Sequence, residues 1–166
     1  TDPSYPYYLG TATSFPLYRG ISVNKHLKAM SGITAEDIQA LQTNNDNVFA
    51  ATARPALMKY VQVDKLSPDA QRMLNEMNNW DLVNSENSKG ITAFKIIWDS
   101  VTQAVWGDEL AGSPIPLTSP DDFVLVDQLL KDSNWSVADD ISTKDKIENF
   151  KEQVTLGIEN ATKKLL

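Results

Sequence analysis

Thr1 is the residue whose position is best suited to catalysis. A threonine at a chain terminus can use its own α-amino group as the base that activates its hydroxyl. That chemistry needs rigid fixation, commonly at the start of a buried strand, whereas Asp2-Pro3 and an aromatic, loop-like segment follow Thr1 here. The sequence therefore favours a non-catalytic Thr1 and leaves a small Thr1-dependent enzyme as an alternative.

Arg19 and His26 are the next candidates. Arg19 lies at the start of the first predicted helix, an end whose dipole favours acidic side chains. This placement hints at a carboxylate or carbonyl partner, although spacing alone favours a solvated surface arginine. His26 lies near Lys25 and Lys28 with no acidic neighbour in sequence, which is typical of a structural histidine rather than a general base.

Three pairs of adjacent carboxylates complete the candidates: Asp108-Glu109, Asp121-Asp122 and Asp139-Asp140. Adjacent side chains on a helix point in different directions, so spacing alone does not make any of them a general acid/base pair. Helix starts explain the second and third pairs. The residues by themselves show no complete active site.

Composition narrows the function classes further. The 166 residues carry 15 Lys and Arg against 22 Asp and Glu, and the formal net charge of −7 argues against nucleic-acid binding. The chain has no cysteine and one histidine, which excludes thiol catalysis and disulfides and argues against multi-histidine metal sites. No apolar run approaches the ~18 residues of a membrane-spanning helix. Because the chain opens with Thr1-Asp2-Pro3 and not methionine, we expect that a segment upstream was removed or left out.

The elements that would position these residues are almost all helical. Residues 1–16 read as an irregular lead-in, and the first half then contains four predicted helices. The first two cover about 17–30 and 34–44, and the second of these has a Thr34–Asp37 capping box. The third covers about 47–63, is capped by Asp46 and is kinked or interrupted at Pro55. The fourth covers about 67–80 and starts at Ser67-Pro68-Asp69.

The second half is also predicted to be helical after a polar loop at 81–89. One predicted helix covers about 91–107 and ends near Gly107. The next covers about 119–130, is capped by Ser119 and has an apolar stripe of Phe123, Val126 and Leu130. The last covers about 142–165, with a Ser142–Asp145 capping box and an apolar stripe that begins at Ile147. The prediction is an all-α fold of about six to seven helices, with no strand pattern and no internal domain boundary.

An ordered series of segments resembles the penicillin acylase (penicillin amidase) family. Residues 41–57, LQTNNDNVFAATARPAL, resemble that family's glutamine, polar turn, small-residue helix, proline and leucine. Asn79-Trp80-Asp81 stands where the family has a tryptophan-aspartate turn, and Asp108-Glu109-Leu110 follows a long helix that contains tryptophan. Tyr8-Leu9-Gly10, leading to Arg19, resembles the segment after the family's oxyanion asparagine. One position departs: the family usually has aspartate two residues after the glutamine, whereas Asn44 here keeps a polar capping role without a carboxylate.

The resemblance implies an exported amidohydrolase, periplasmic or extracellular, that cleaves itself into two chains. A serine at the start of the larger chain attacks the amide with its own amino group as base, while a backbone amide and an asparagine side chain stabilise the oxyanion. By this resemblance the present chain is an internal helical piece of the larger chain. It lacks that serine and that asparagine and is expected to be inactive alone. Arg19 alone matches a position near the family's active site, where it helps to hold the catalytic groups.

The implied substrates are acylated amines, such as β-lactams with acyl side chains or acyl-homoserine lactones. The implied partners are the remaining acylase chains, with no nucleic acid and no membrane. No cofactor is expected in this chain; a structural calcium ion is compatible with the whole enzyme, but its ligands are not recognisable here. Helices separated from a larger enzyme expose apolar surface, which would allow the isolated chain to dimerise.

The alternative is a non-enzymatic helical interaction or binding module of a surface or exported protein. The acidic, cysteine-free composition and the missing active site support it. The gene sequence upstream of Thr1 distinguishes the two. An asparagine-containing strand region and a Gly-Ser-like cleavage junction favour the acylase, whereas an unrelated domain favours the module.

Overall fold

Helices dominate the computed structural model, which describes residues 17–131 and 135–164. Within these residues there are seven α-helices, and the only extended pairing is a single bridge between Asp46 and Val83. The all-α prediction is therefore confirmed. The chain divides into two units, residues 1–44 and 45–166, which are described separately. Thr1 and the predicted lead-in lie outside the described residues.

The first unit contains α1 (Leu17–Ala29) and α2 (Ala35–Gln42). Gly32 separates them with a φ of +64°, a left-handed conformation that glycine adopts without steric cost. The predicted capping box is present: Asp37 N–H donates to Thr34 Oγ1 at 3.2 Å, and Thr34 N–H donates to Asp37 Oδ2 at 2.9 Å. The bonds from the Thr34 amide and hydroxyl lower the pKa of Asp37. This short sequence pattern is therefore sufficient to define the start of α2.

The second unit contains five α-helices and two 3₁₀ turns. They are α3 (Val48–Met58), a 3₁₀ turn (Val63–Lys65), α4 (Pro68–Asn79), α5 (Lys89–Ala111), α6 (Asp122–Lys131), a second 3₁₀ turn (Ser136–Ala138) and α7 (Phe150–Lys163). Helix α5 packs along α7 and α4, α4 also contacts α7, and α3 contacts α6. The longest helix thus organises the core.

Helix α5 buries residues on several sides. Its buried residues are Gly90, Ala93, Phe94, Ile97, Trp98, Ser100, Val101, Val105 and Trp106. It lies close to α7 at Gly157, where an added Cβ would lie 2.6 Å from Val101 Cα. No side chain fits in that space. A glycine therefore sets how closely the two central helices can pack.

Helix α4 begins as predicted, with Ser67 as its N-cap and Pro68 in its first turn. The Ser67 hydroxyl accepts a hydrogen bond from Ala70 N–H at 3.3 Å. Glu159 of α7 also accepts hydrogen bonds from the Ser67 backbone N–H and, at 3.1 Å, from its hydroxyl. A helix start that the sequence predicts locally is thus fixed to a distant helix.

The start of α3 differs from the prediction, and Pro55 does not produce the interruption that was one of its two predicted effects. Asn47, not Asp46, caps α3, and its side chain accepts from Ala50 N–H at 2.8 Å. Asp46 instead forms the bridge with Val83, so the helix begins after it. Pro55 does not interrupt α3, which continues to Met58. The last turn still closes, because the N–H groups of Lys59 and Tyr60 donate to the carbonyls of Pro55 and Leu57.

Helix α5 ends four residues later than predicted, at Ala111 and not near Gly107. Val105 and Trp106 are buried, and Leu110 packs against the core, so tertiary contacts carry the helix past the glycine. Gly112 takes the C-cap position instead. Asp108 and Glu109 therefore belong to the last turn of the helix.

Helix α6 starts at Asp122, not after Ser119, and buries a different face from the predicted one. Its buried residues are Leu125, Val126 and Leu129. Phe123 and Leu130, predicted to face inward, are 40% and 54% exposed. Asp122 accepts a hydrogen bond from Trp98 Nε1 at 2.6 Å, which fixes the first turn of α6 to α5 and thereby sets its rotation.

Helix α7 also starts later than predicted. Its capping box is Asn149–Glu152, and the Ser142–Asp145 prediction is wrong. Ser142 donates from both its N–H and its hydroxyl to Asp140 Oδ1, and Glu148 N–H donates to Asp139 Oδ1 at 2.9 Å. Such side-chain bonds to the backbone compete with helix formation. Asp139 and Asp140 therefore hold a loop rather than start a helix, and Ile147 is 82% exposed.

Replacing Gly157 by alanine should lower the free energy of unfolding by about 1–3 kcal/mol, because the methyl group overlaps the α5 backbone at Val101. Urea denaturation measures the change. Gly112→Ala is the matched control, since a Cβ at Gly112 meets no atom within 4 Å. Equal stability of the two variants would contradict the proposed close approach.

Candidate functional site

The sequence-predicted site residue Arg19 lies in the first turn of α1 and is exposed. His26 lies in the last turn of the same helix and is half-buried. Thr1 lies outside the described residues. The supporting role expected for Arg19 stays a prediction.

The Asp108-Glu109 pair forms a contact that helix spacing did not predict. At the end of α5 the two carboxyl groups lie close enough together for each to change the pKa of the other. Asp108 Oδ2 also accepts a hydrogen bond from Ile141 N–H at 2.8 Å. The pair therefore connects the end of α5 to the segment 139–149.

The pKa values of the two carboxyl groups of this pair are shifted in opposite directions. Burial, with the Asp108 hydrogen bond and the negative charges of Asp108 and Asp140, raises the pKa of Glu109 to about 7. Burial alone would also raise the pKa of Asp108, but the hydrogen bonds from Glu109 and from Ile141 N–H lower it. Opposite shifts of this kind are typical of one proton shared between two carboxyl groups.

Two of the segments that carry the family resemblance meet in the second unit. Asn47 N–H donates to Leu82 O at 2.7 Å, and Asn84 N–H donates to Asn45 O at 2.9 Å. The side chain of Asn47 also donates to Asn84 Oδ1 at 3.1 Å. The loop after Trp80 is thus paired directly with the residues that start α3.

Trp80 and Asp81 shape this loop. Trp80 Nε1 donates to Val83 O at 2.8 Å, and Asp81 Oδ1 accepts from Val83 N–H at 2.9 Å. Leu82, between them, has a φ of +67°, a conformation that costs energy for a branched side chain. Bonds on both sides of Leu82 hold this turn in place, so the tryptophan-aspartate turn has a structural role.

Arg54 is the residue of this region that sequence reasoning did not single out. Its Nη1 donates to Trp80 O at 2.7 Å and to Met77 O at 3.0 Å, and it lies 3.4 Å from Asn78 O. The last carbonyls of a helix have no partner within the helix, and a cation there also interacts favourably with the negative end of the helix dipole. Arg54 thus caps α4 from α3. An arginine on an otherwise small and apolar helix was the available signal.

An open cleft of about 560 Å³ lies elsewhere in the second unit. Its lining combines aromatic rings with charged groups: Tyr60, Trp135, Phe150, Asp139, Glu148 and Lys151. Burial would raise the pKa of Glu148, but hydrogen bonds from Thr143 Oγ1 and Asp140 N–H and the charge of Lys146 lower it. Glu148 is therefore an anion that holds its own loop.

The described part of the chain contains no group of three or more histidine, cysteine or acidic side chains arranged to hold a metal ion. Across residues 17–131 and 135–164 no helix is both long and apolar enough to span a membrane.

The hydrogen bonds between the family-like segments are structural: they cap helices and fix turns. The geometry that these segments share is that of a scaffold.

Replacing Arg54 by methionine should lower the free energy of unfolding by about 2–3 kcal/mol, because the carbonyls at the end of α4 lose a charged donor. Urea denaturation tests this. Arg72→Met is the control: the Arg72 side chain is 78% exposed and pairs with Asp69 in its own helix, so a change within about 0.5 kcal/mol is expected. Similar losses in both variants would show that Arg54 does not cap α4.

Comparison with known proteins agrees with the motif series. The family model described as penicillin amidase matches residues 1–166. Neither the search of curated proteins nor the search of solved structures gave a match. Because the family match covers the whole sequence and includes the segments that Asn47, Arg54 and Trp80 hold together, this chain belongs to the penicillin amidase family.

Proposed function

We propose that this chain is part of a penicillin acylase-like amidohydrolase, in which it forms a helical support for the catalytic groups. The observation that carries the proposal is the family match over residues 1–166. The hydrogen-bonded scaffold of the second unit supports it, because catalysis needs groups that are held rigidly before the reaction starts. In this proposal the nucleophilic serine and the oxyanion asparagine lie outside the 166 residues.

The reaction of the whole enzyme would be hydrolysis of an amide that joins an acyl group to an amine. The serine hydroxyl attacks the amide carbon, its proton passes through the α-amino group to the leaving amine, and water then hydrolyses the acyl-serine ester. Acylated β-lactams and acyl-homoserine lactones are the proposed substrates. We further propose an exported, periplasmic or extracellular protein, and a structural calcium ion, if present, held by residues outside this chain.

Amine release from these two substrate classes tests the proposal. The full-length protein should cleave itself and release amine, whereas the isolated 166-residue chain should release none. Replacing the serine exposed by self-cleavage with alanine should abolish turnover. Turnover by the isolated chain that is lost in Thr1→Ala would instead establish a Thr1-dependent enzyme. A full-length protein that folds without self-cleavage or turnover would favour the helical interaction module.

In the same full-length protein, Arg19 should act as a positioning residue. Arg19→Ala should lower kcat by roughly 100-fold with little change in KM or in Tm, because displaced catalytic groups lose alignment while substrate binding remains. Lys25→Ala replaces an exposed cation on the same helix and should leave kcat unchanged. Equal kcat values in the two variants would remove Arg19 from the site, and Arg19→Lys should restore part of the rate.

A further inference from the structure

The end of α5 carries an arrangement of acidic groups that the proposed function does not use. Asp108 Oδ2 accepts the Ile141 N–H at 2.8 Å and so connects α5 to the segment 139–149. Asp139, Ile147 and Glu148 of that segment line the 560 Å³ cleft. The Asp108 contact therefore helps to fix the position of one side of the cleft.

Glu109 lies beside this contact in a setting that disfavours a negative charge. Its Oε2 atom is buried without a hydrogen-bond donor. Its neighbour Asp108 is an acceptor already engaged with Ile141, and Asp140 adds a second negative charge from the segment 139–149. The helix C-terminus also disfavours an anion, because the helix dipole is negative at that end. A proton on Glu109 removes each of these conflicts and supplies a donor to Asp108.

We propose that Asp108 and Glu109 form a proton-dependent latch that fixes the segment 139–149 to the end of α5. When Glu109 is protonated, it donates to the Asp108 carboxylate, which in turn accepts the Ile141 N–H. When Glu109 loses its proton, two adjacent carboxylates repel each other, and the bond to Ile141 weakens. The side of the cleft formed by residues 139–148 is then released.

The other charges around the latch do not offset that of Glu109. Helix α5 packs against α4, α7 and the 3₁₀ turn before residue 139. In the described residues of those elements and of the adjoining loop, Lys146 pairs with Glu148 and Glu152, while Glu159 binds Ser67. Asp139 accepts from Glu148 N–H. The charges that act on Glu109 are those of Asp108 and Asp140, both negative.

The pH window follows from the two opposite shifts. The pKa of Glu109 is raised from its ordinary value of 4.5 to about 7 in the latched arrangement. Latching therefore binds a proton between these values, and the latch weakens as pH rises from about 4.5 to 7, then levels off. The pKa of Asp108 is lowered from 3.8, so its contribution is lost only as pH falls below that value. The latch is strongest near pH 4–5.

Hydrogen exchange of the Ile141 amide, followed by NMR in the full 166-residue chain, tests the proposal. The protection factor, corrected for the intrinsic exchange rate, should fall at least about tenfold between pH 5 and pH 8. Glu109→Gln, whose amide donates at every pH, should keep high protection throughout. Glu86→Gln, at an exposed glutamate in the 81–88 loop, should behave like the unmodified chain.

Two results would overturn the latch: pH-independent protection in the unmodified chain, or the same pH dependence in Glu109→Gln. A ¹³C titration of the Glu109 carboxyl group in the unmodified chain provides a test that needs no variant. A midpoint near 7 supports the latch, whereas a midpoint near 4.5 contradicts it. Amidase activity enters neither measurement, so failure of the latch and failure of the proposed function are distinguishable.

Discussion

The close approach of α5 and α7 at Gly157 is the constraint on which the rest of the second unit depends. Because Gly157 has no side chain, the backbone of α7 lies against Val101, and both helices bury their apolar faces along their contact. Helix α4 completes this arrangement, since it contacts both α5 and α7. Protein interiors are closely packed, so a methyl group added at this contact would require the backbone to move. The remaining elements are arranged around these three helices.

Hydrogen bonds from side chains fix helix ends within that core and join the neighbouring helices to it. Arg54 caps the end of α4 from α3, Glu159 of α7 binds the N-cap of α4, and Trp98 of α5 donates to the start of α6. The Arg54 bond satisfies a carbonyl that the end of α4 leaves unpaired, and the other two bonds hold side chains at the starts of α4 and α6. A family whose catalytic groups must be held rigidly gains from such a scaffold, because small displacements of reacting groups lower the rate strongly.

Much of the fold could be predicted from the sequence where the signal is local. The Thr34–Asp37 box and Ser67-Pro68 lie where the sequence predicts them, because the groups that cap these helices are within three residues of the helix start. The site was less predictable. Arg54 binds carbonyls more than 20 residues away, and Asp108 binds Ile141 across 33 residues. Spacing along a helix gives no information about such partners.

The sequence by itself determined the helical class, the capped starts of α2 and α4 and, through its motif order, the penicillin amidase family. Only the tertiary structure decided which competing signals prevail. Asp46 enters a bridge instead of capping α3, α5 continues past Gly107, and Asp139 and Asp140 hold a loop where Ser142 was expected to start a helix. In the segment 139–149, side-chain bonds to nearby backbone groups compete with the helix, whereas for α3 and α5 the reason is contact with distant residues. A local capping preference is worth about 1 kcal/mol, and a few long-range contacts or burial of one large side chain exceed it.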